Sequence, residues 1–166
     1  MKAKVLAYDA LIIACYTGLT LAGGTFSFGF LQIRIAEVLV LLCLFEKHYI
    51  LTMTLACFFS NLIGLFLGFS VFPVDVFIGT AASFASCVCV YGFRNIMLWK
   101  RPILSMFSPS LINGVMIGWE LSFFMNDPSL FIPFFFYISL GELISVMGIG
   151  LFGYRFLCHI YQTIRL

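Results

Sequence analysis

The chain alternates between long hydrophobic runs and short breaks rich in glycine, proline, asparagine or charged residues. Runs of this kind, close to 20 residues long, are typical of helices that cross a membrane. We predict spans at residues 5–24, 31–45, 49–69, 74–93, 103–124 and 130–158. The breaks between them are only a few residues long, so the pattern predicts one bundle of six transmembrane helices.

Composition supports a membrane protein over a soluble one. Of the 166 residues, 63% are hydrophobic and only 10% are charged, whereas about a quarter of a soluble domain is charged. The mean hydropathy is +1.12. We therefore predict an all-α integral membrane protein that forms a single domain over residues 1–166. The length leaves no room for a soluble catalytic or nucleic-acid-binding domain.

The basic residues predict the orientation. Eight of the nine lysines and arginines lie near the two termini or in the second and fourth breaks. The positive-inside rule places these segments, and hence both termini, in the cytoplasm. Arg34 is the exception, because it lies inside the second run. Asp9 interrupts the apolar part of a would-be signal peptide, so we interpret residues 1–24 as a retained first span.

Seven polar residues in five of the runs are predicted to share one depth. They are Arg34, Glu37, Asn61, Asp75, Asn113, Glu120 and Glu142. Counted at ~1.5 Å per helical residue, all lie in the outer half of the membrane or near its midplane. Three carboxylates and an arginine facing lipid would cost about 10 kcal/mol. We therefore expect these side chains to line a substrate pocket that opens outward.

The spacing of these residues leaves two interpretations open. Arg34 and Glu37 are three residues apart, and Asn113 and Glu120 are seven apart, so each pair would share a helical face. Alternatively, Arg34 and Glu37 neutralise each other, and Asn61 hydrogen-bonds between helices. Candidate surfaces for stacking against a flat ligand are Phe28, Phe30, Trp119 and Tyr137.

Little in the sequence indicates catalysis or a cofactor. The six cysteines lie in apolar runs, and their spacing matches no zinc pattern. Both histidines, His48 and His159, are predicted to be cytoplasmic, away from the carboxylates. We therefore expect no enzyme activity, no metal and no cofactor. A membrane-embedded enzyme that uses paired acids and a self-sufficient carrier stay as alternatives.

The first run carries a stripe of small residues. Ala10, Ala14, Gly18 and Ala22 recur at four-residue intervals. Such a stripe lets another helix approach closely. It suits packing within the bundle or contact with a partner protein. Because the chain has no ATP-binding loop, we expect either a dimer or an energising partner.

Motifs in order along residues 8–155 resemble the QueT family. They are QIRIAEVL at 32–39, SNL at 60–62, DVFIGTAA at 75–82, NGVMIGWEL at 113–121 and GELIS at 141–145. QueT proteins are substrate-binding (S) components of energy-coupling factor (ECF) transporters, taken to import the 7-deazaguanine precursors of queuosine. The chain departs from the family at Ala36, where we expect serine, and at Gly114, where we expect alanine. Neither departure removes a carboxylate.

The resemblance implies a six-helix S component in the bacterial cytoplasmic membrane. Its partners would be a transmembrane coupling protein, contacted through Ala10, Ala14 and Gly18, and two cytoplasmic ATPases. The seven polar residues would bind the deazaguanine, because carboxylates accept the adjacent N–H groups of a guanine-type edge. Glu120 and Glu142 are the first candidates for that edge, with Glu37 orienting Arg34. The nearest alternative is an S component for another vitamin or nucleobase.

Overall fold

Every secondary-structure element is helical in the part of the chain that the computed structural model describes, residues 2–29, 32–69 and 73–165. The α-helices are α1 (Lys2–Ala22), α2 (Thr25–Phe28), α3 (His48–Phe66), α4 (Asp75–Gly92), α5 (Ile103–Phe124), α6 (Phe131–Glu142) and α7 (Ile149–Arg165). A 3-10 helix at Ile35–Leu44, a 3-10 turn at Pro128–Leu130 and a π-helix at Leu143–Gly148 complete the order. The all-α prediction is confirmed.

Helices α1, α3 and α5 end just before residues that adopt positive φ. Gly24, just after α1, has a φ of 48°, and Gly68, just after α3, has a φ of 76°. Glycine adopts this region at little cost, and it commonly ends helices. After α5 the same role falls to Asn126, with a φ of 52°. These stops explain why the predicted ends of these three spans lie close to the observed ones.

The second predicted span differs from an α-helix. Residues Ile35–Leu44 form a 3-10 helix, and Leu31, the predicted start of the span, lies outside the described residues. Ten residues rise about 20 Å in a 3-10 helix but about 15 Å in an α-helix. Arg34 precedes the helix in an extended conformation. The prediction that Arg34 and Glu37 share one α-helical face is therefore wrong.

The sixth predicted span is divided. Helix α6 ends at Glu142, the π-helix follows directly, and α7 continues the chain. A π-helix is rare, and single π turns often occur at functional sites. Hydrophobicity is continuous across this junction, so the sequence pattern did not reveal it. The consequence is that Glu142 lies at the point where the helix widens.

The helices form an arc around the 3-10 helix. In the arc, α1 contacts α3, α3 contacts α4, α4 contacts α5, and α5 contacts α6. The 3-10 helix contacts α1, α3, α4, α5, α7 and the π-helix. Its residues Ala36, Val40, Leu41 and Cys43 have no exposed surface. The 3-10 helix is therefore the centre of the bundle, and it carries Glu37 into that centre.

Within the described residues, four helical stretches are long and apolar enough to cross a membrane. They are Ala3–Ala22, His48–Phe66, Asp75–Gly92 and Pro128–His159. The 3-10 helix is apolar but shorter, and α5 occupies the predicted fifth span without being one of the four. These stretches support a multi-pass membrane protein. The count of six spans, with both termini in the cytoplasm, stays a prediction.

Candidate functional site

All seven polar residues predicted from the sequence are buried inside the bundle. Their exposed fractions are Arg34 4%, Glu37 3%, Asn61 0%, Asp75 8%, Asn113 6%, Glu120 1% and Glu142 2%. None of them therefore faces the outer surface, where lipid would lie. Buried charge is costly unless it is paired, hydrogen-bonded or matched by a ligand. The hydrogen-bond and charge partners of these seven side chains therefore decide what the site can do.

The first pair joins α5 to the end of α6. Asn113 Nδ2 donates a hydrogen bond to Glu142 Oε1 at 2.8 Å. The other oxygen, Glu142 Oε2, is buried and has no hydrogen-bond partner among the described residues. The two helices approach closely at Gly114, where an added Cβ would clash with Ser139 Oγ. The departure from the expected alanine thus has a packing reason in this chain.

The second pair joins α3 to α4. Asn61 Nδ2 donates to the backbone oxygen of Asp75 at 3.4 Å. A Cβ added at Gly79 would lie 2.6 Å from Asn61 Nδ2 and 3.1 Å from Asp75 Oδ1. Gly79 therefore makes room for both side chains. Within the described part of the chain, Asn61 Oδ1 is buried without a hydrogen-bond partner.

Arg34 and Glu37 are held by different partners. Arg34 Nε donates to the Ser27 carbonyl oxygen at 2.8 Å, and its guanidinium carbon lies 5.1 Å from the centre of the Phe28 ring. Glu37 Oε1 accepts a hydrogen bond from the Tyr16 hydroxyl at 2.5 Å. Glu37 is predicted to orient Arg34, but no hydrogen bond joins these two described side chains.

Glu120 interacts electrostatically with Asp75 and Arg34. Neither of its carboxylate oxygens has a hydrogen-bond partner among the described residues. The charges of Asp75 and Arg34 act on Glu120, those of Glu37 and Arg34 act on Glu142, and Asp75 interacts with Arg34. Such interactions weaken with distance. Each of the four acids thus interacts electrostatically with Arg34, and we call these five residues, with Asn61 and Asn113, the polar cluster.

Aromatic residues contribute less than predicted. Phe28 lies against Arg34, but Trp119 is 56% exposed and stacks on Phe123 with ring centres 5.7 Å apart. Tyr137 is 54% exposed, and Phe30 lies outside the described residues. Sequence reasoning missed Tyr16, because a tyrosine in an apolar helix resembles an ordinary membrane-interface residue.

The small-residue stripe lies apart from the polar cluster. Ala10, Ala14, Gly18 and Ala22 are all on the exposed side of α1. A Cβ added at Gly18 would meet nothing within 4 Å. Packing within the bundle therefore does not explain the stripe.

A second group of polar side chains lies at the start of α3. Thr52 Oγ1 donates to Asp9 Oδ1 at 3.0 Å, and His48 Nε2 lies 3.6 Å from the same oxygen. His48 Nδ1 lies 3.2 Å from Glu46 Oε2. Thirteen helical residues, or about 20 Å, separate His48 from Asn61. The histidine is thus remote from the polar cluster.

Apolar helices around buried acids and one arginine define a multi-pass membrane protein with a polar site in its interior. The family model described as QueT transporter matches residues 6–159. The chain therefore belongs to the QueT transporter family, and it is a membrane transporter rather than an enzyme. No curated protein and no solved structure matches it significantly.

Proposed function

We propose that this protein is the substrate-binding S component of an ECF transporter and captures a 7-deazaguanine precursor of queuosine from outside the cell. The observation that supports this ligand is a set of unused acceptors. Both carboxylate oxygens of Glu120, Oε2 of Glu142 and Oδ1 of Asn61 are buried without hydrogen-bond partners among the described residues. A ligand that donates several hydrogen bonds would satisfy them.

A guanine-type edge suits such a site because it presents adjacent N–H donors. One carboxylate accepts two such donors in parallel, and charge-assisted hydrogen bonds are the stronger kind. Glu120 is the first candidate for this edge and Glu142 the second. Arg34 would donate to the ring carbonyl, and Phe28 beside it offers a flat surface. An aminomethyl substituent would bring a cation to the second acid.

In this proposal six helical segments cross the bacterial cytoplasmic membrane, with both termini in the cytoplasm. The distribution of lysine and arginine supports this orientation. The polar cluster then opens outward, and His48 and Asp9 lie near the cytoplasmic face. The 3-10 helix contributes because its larger rise carries a short run through more of the membrane.

Transport also needs an energy source, for which we propose a transmembrane coupling protein and two cytoplasmic ATPases. The exposed stripe of Ala10, Ala14 and Gly18 supports docking of the coupling protein on α1. Small exposed residues let a partner helix approach the backbone closely, and close packing drives helix association in lipid. Substrate capture and docking would then use different faces of the bundle.

The test of the ligand is direct. We expect mass spectrometry to detect a deazaguanine released from the purified protein. Glu120→Gln should weaken binding of 7-aminomethyl-7-deazaguanine by about 2 kcal/mol or more in titration calorimetry, because an acceptor becomes a donor that faces a donor. Glu46→Gln removes an acid outside the cluster and should keep the wild-type affinity. Release of an unrelated vitamin, or unchanged binding by Glu120→Gln, would contradict the proposal.

A further inference from the structure

Helix α1 has two faces with different chemistry. Ala14 and Gly18 are exposed, whereas Tyr16 has no exposed surface. At about 100° per residue, Tyr16 lies about 160° around the helix from both small residues. The same turn of α1 therefore presents small residues outward and a phenol inward.

Few residues hold α1 in the bundle. Only 11% of its apolar stretch is buried, compared with 39–44% of the other three stretches that could span a membrane. Within residues 3–22, the buried residues are Tyr16, Thr17 and Thr20. All three carry hydroxyl groups, and Tyr16 also belongs to the hydrophobic core, against which Ile12 and Ile13 pack. Tyr16 is therefore the main buried anchor of this part of α1.

The hydroxyl of Tyr16 reaches the polar cluster. It donates to Glu37 Oε1, and Glu37 acts electrostatically on Glu142. Thr20 lies on the same buried face, but its hydroxyl donates to the Tyr16 carbonyl within α1. Tyr16 is thus a direct link from α1 to an acid that interacts with Glu142, one of the two candidate ligand-binding acids.

We propose that Tyr16 is a positioning residue that couples occupancy of the polar cluster to docking on α1. This inference rests on the proposed function, because it assumes a ligand at the cluster and a partner on the small-residue stripe. Docking that shifts α1 lengthens the Tyr16–Glu37 hydrogen bond and disturbs Glu37, so the docked protein binds substrate more weakly. Linkage requires the reverse as well: bound substrate opposes the shift of α1.

The test compares substrate affinity in the free and docked states. The dissociation constant of 7-aminomethyl-7-deazaguanine is measured for the isolated protein and for its complex with the coupling protein and ATPases in nanodiscs. We expect weaker binding in the wild-type complex, and we expect Tyr16→Phe to reduce the ratio of the two constants about threefold or more. The matched variant Thr20→Val also loses one buried hydroxyl on α1, and it should keep the wild-type ratio.

A purely structural role for Tyr16 would lower the melting temperature and leave the ratio unchanged. Wild-type protein that binds the ligand and docks, with Tyr16→Phe keeping the wild-type ratio, overturns the coupling role and leaves the proposed function standing. Wild-type hydrogen exchange gives a second test that does not depend on the folding of a variant. Ligand should slow exchange of α1 amides around Tyr16, and unchanged exchange there on ligand binding would also overturn the inference.

Discussion

Helices α1 and α3 are neighbours with nearly the same length and the same mean hydropathy but different surroundings. Their apolar stretches have 20 and 19 residues and the same mean hydropathy of 1.7, yet 11% of one and 44% of the other is buried. Their outward faces also differ. Residues at four-residue intervals on α1 are Ala10, Ala14, Gly18 and Ala22, and on α3 they are Leu51, Leu55, Phe59 and Ile63.

The difference shows that hydropathy does not decide what a membrane helix contacts. Lipid tails are as apolar as leucine, so a helix gains little from hydrophobicity when it leaves lipid for another helix. Side-chain size matters instead, because small residues let two backbones approach. The bulky exposed face of α3 suits lipid, and the small exposed face of α1 suits a partner helix.

The largest expected effect comes from making the face of α1 resemble that of α3. Ala10→Leu with Ala14→Leu should abolish uptake in cells that carry the coupling module, because added bulk blocks close docking. Ligand binding to the isolated protein should stay near the wild-type value. The opposite change on α3, Leu51→Ala with Leu55→Ala, is the control and should retain uptake. If the α1 variant lost ligand binding but still formed the complex, the stripe would belong to the bundle core.

An effect of intermediate size on stability is expected from substituting one of two glycines, Gly79, and not the other, Gly18. Gly79→Ala should lower the free energy of unfolding by about 1–3 kcal/mol, because its Cβ would lie 2.6 Å from Asn61 Nδ2 at the α3–α4 contact. It should also weaken ligand binding, since Asn61 would have to move. Gly18→Ala on α1 meets open space and should be neutral or slightly stabilising. Thermal unfolding in detergent measures the stability of the two variants. Equal losses would contradict the finding that Gly79 lies at a buried helix contact whereas Gly18 lies on an exposed face.

The smallest expected effect concerns the hydrogen bond that joins α3 directly to α1. Thr52→Val removes the bond to Asp9 and should cost about 0.5–1.5 kcal/mol of unfolding free energy. Thr54→Val is the matched control, because its hydroxyl bonds only to the Ile50 carbonyl of the same helix. Thermal unfolding of the two variants should therefore differ. A larger loss for Thr54→Val would indicate that the Asp9 bond does not hold α1.

Much of the fold was predictable because apolar runs and helix-ending residues are local signals. Helix α5 begins at Ile103 and ends at Phe124, as predicted. The 3-10 helix and the π-helix were not predictable, because both continue apolar runs without any change in residue type. The burial of all seven polar residues followed from the cost of charge in lipid. Their hydrogen-bond partners did not, since those partners come from distant parts of the chain.

The sequence by itself determined that this is an all-helical membrane protein and that its few intramembrane charges must avoid lipid. It also determined membership of the QueT transporter family, because that depends on ordered motifs. Only the tertiary structure decided that Glu37 is bonded to Tyr16 and that the stripe on α1 faces outward. The physical reason is that helices of equal hydropathy are distinguished by which faces pack together. That choice depends on side-chain shape and hydrogen bonding across the whole bundle.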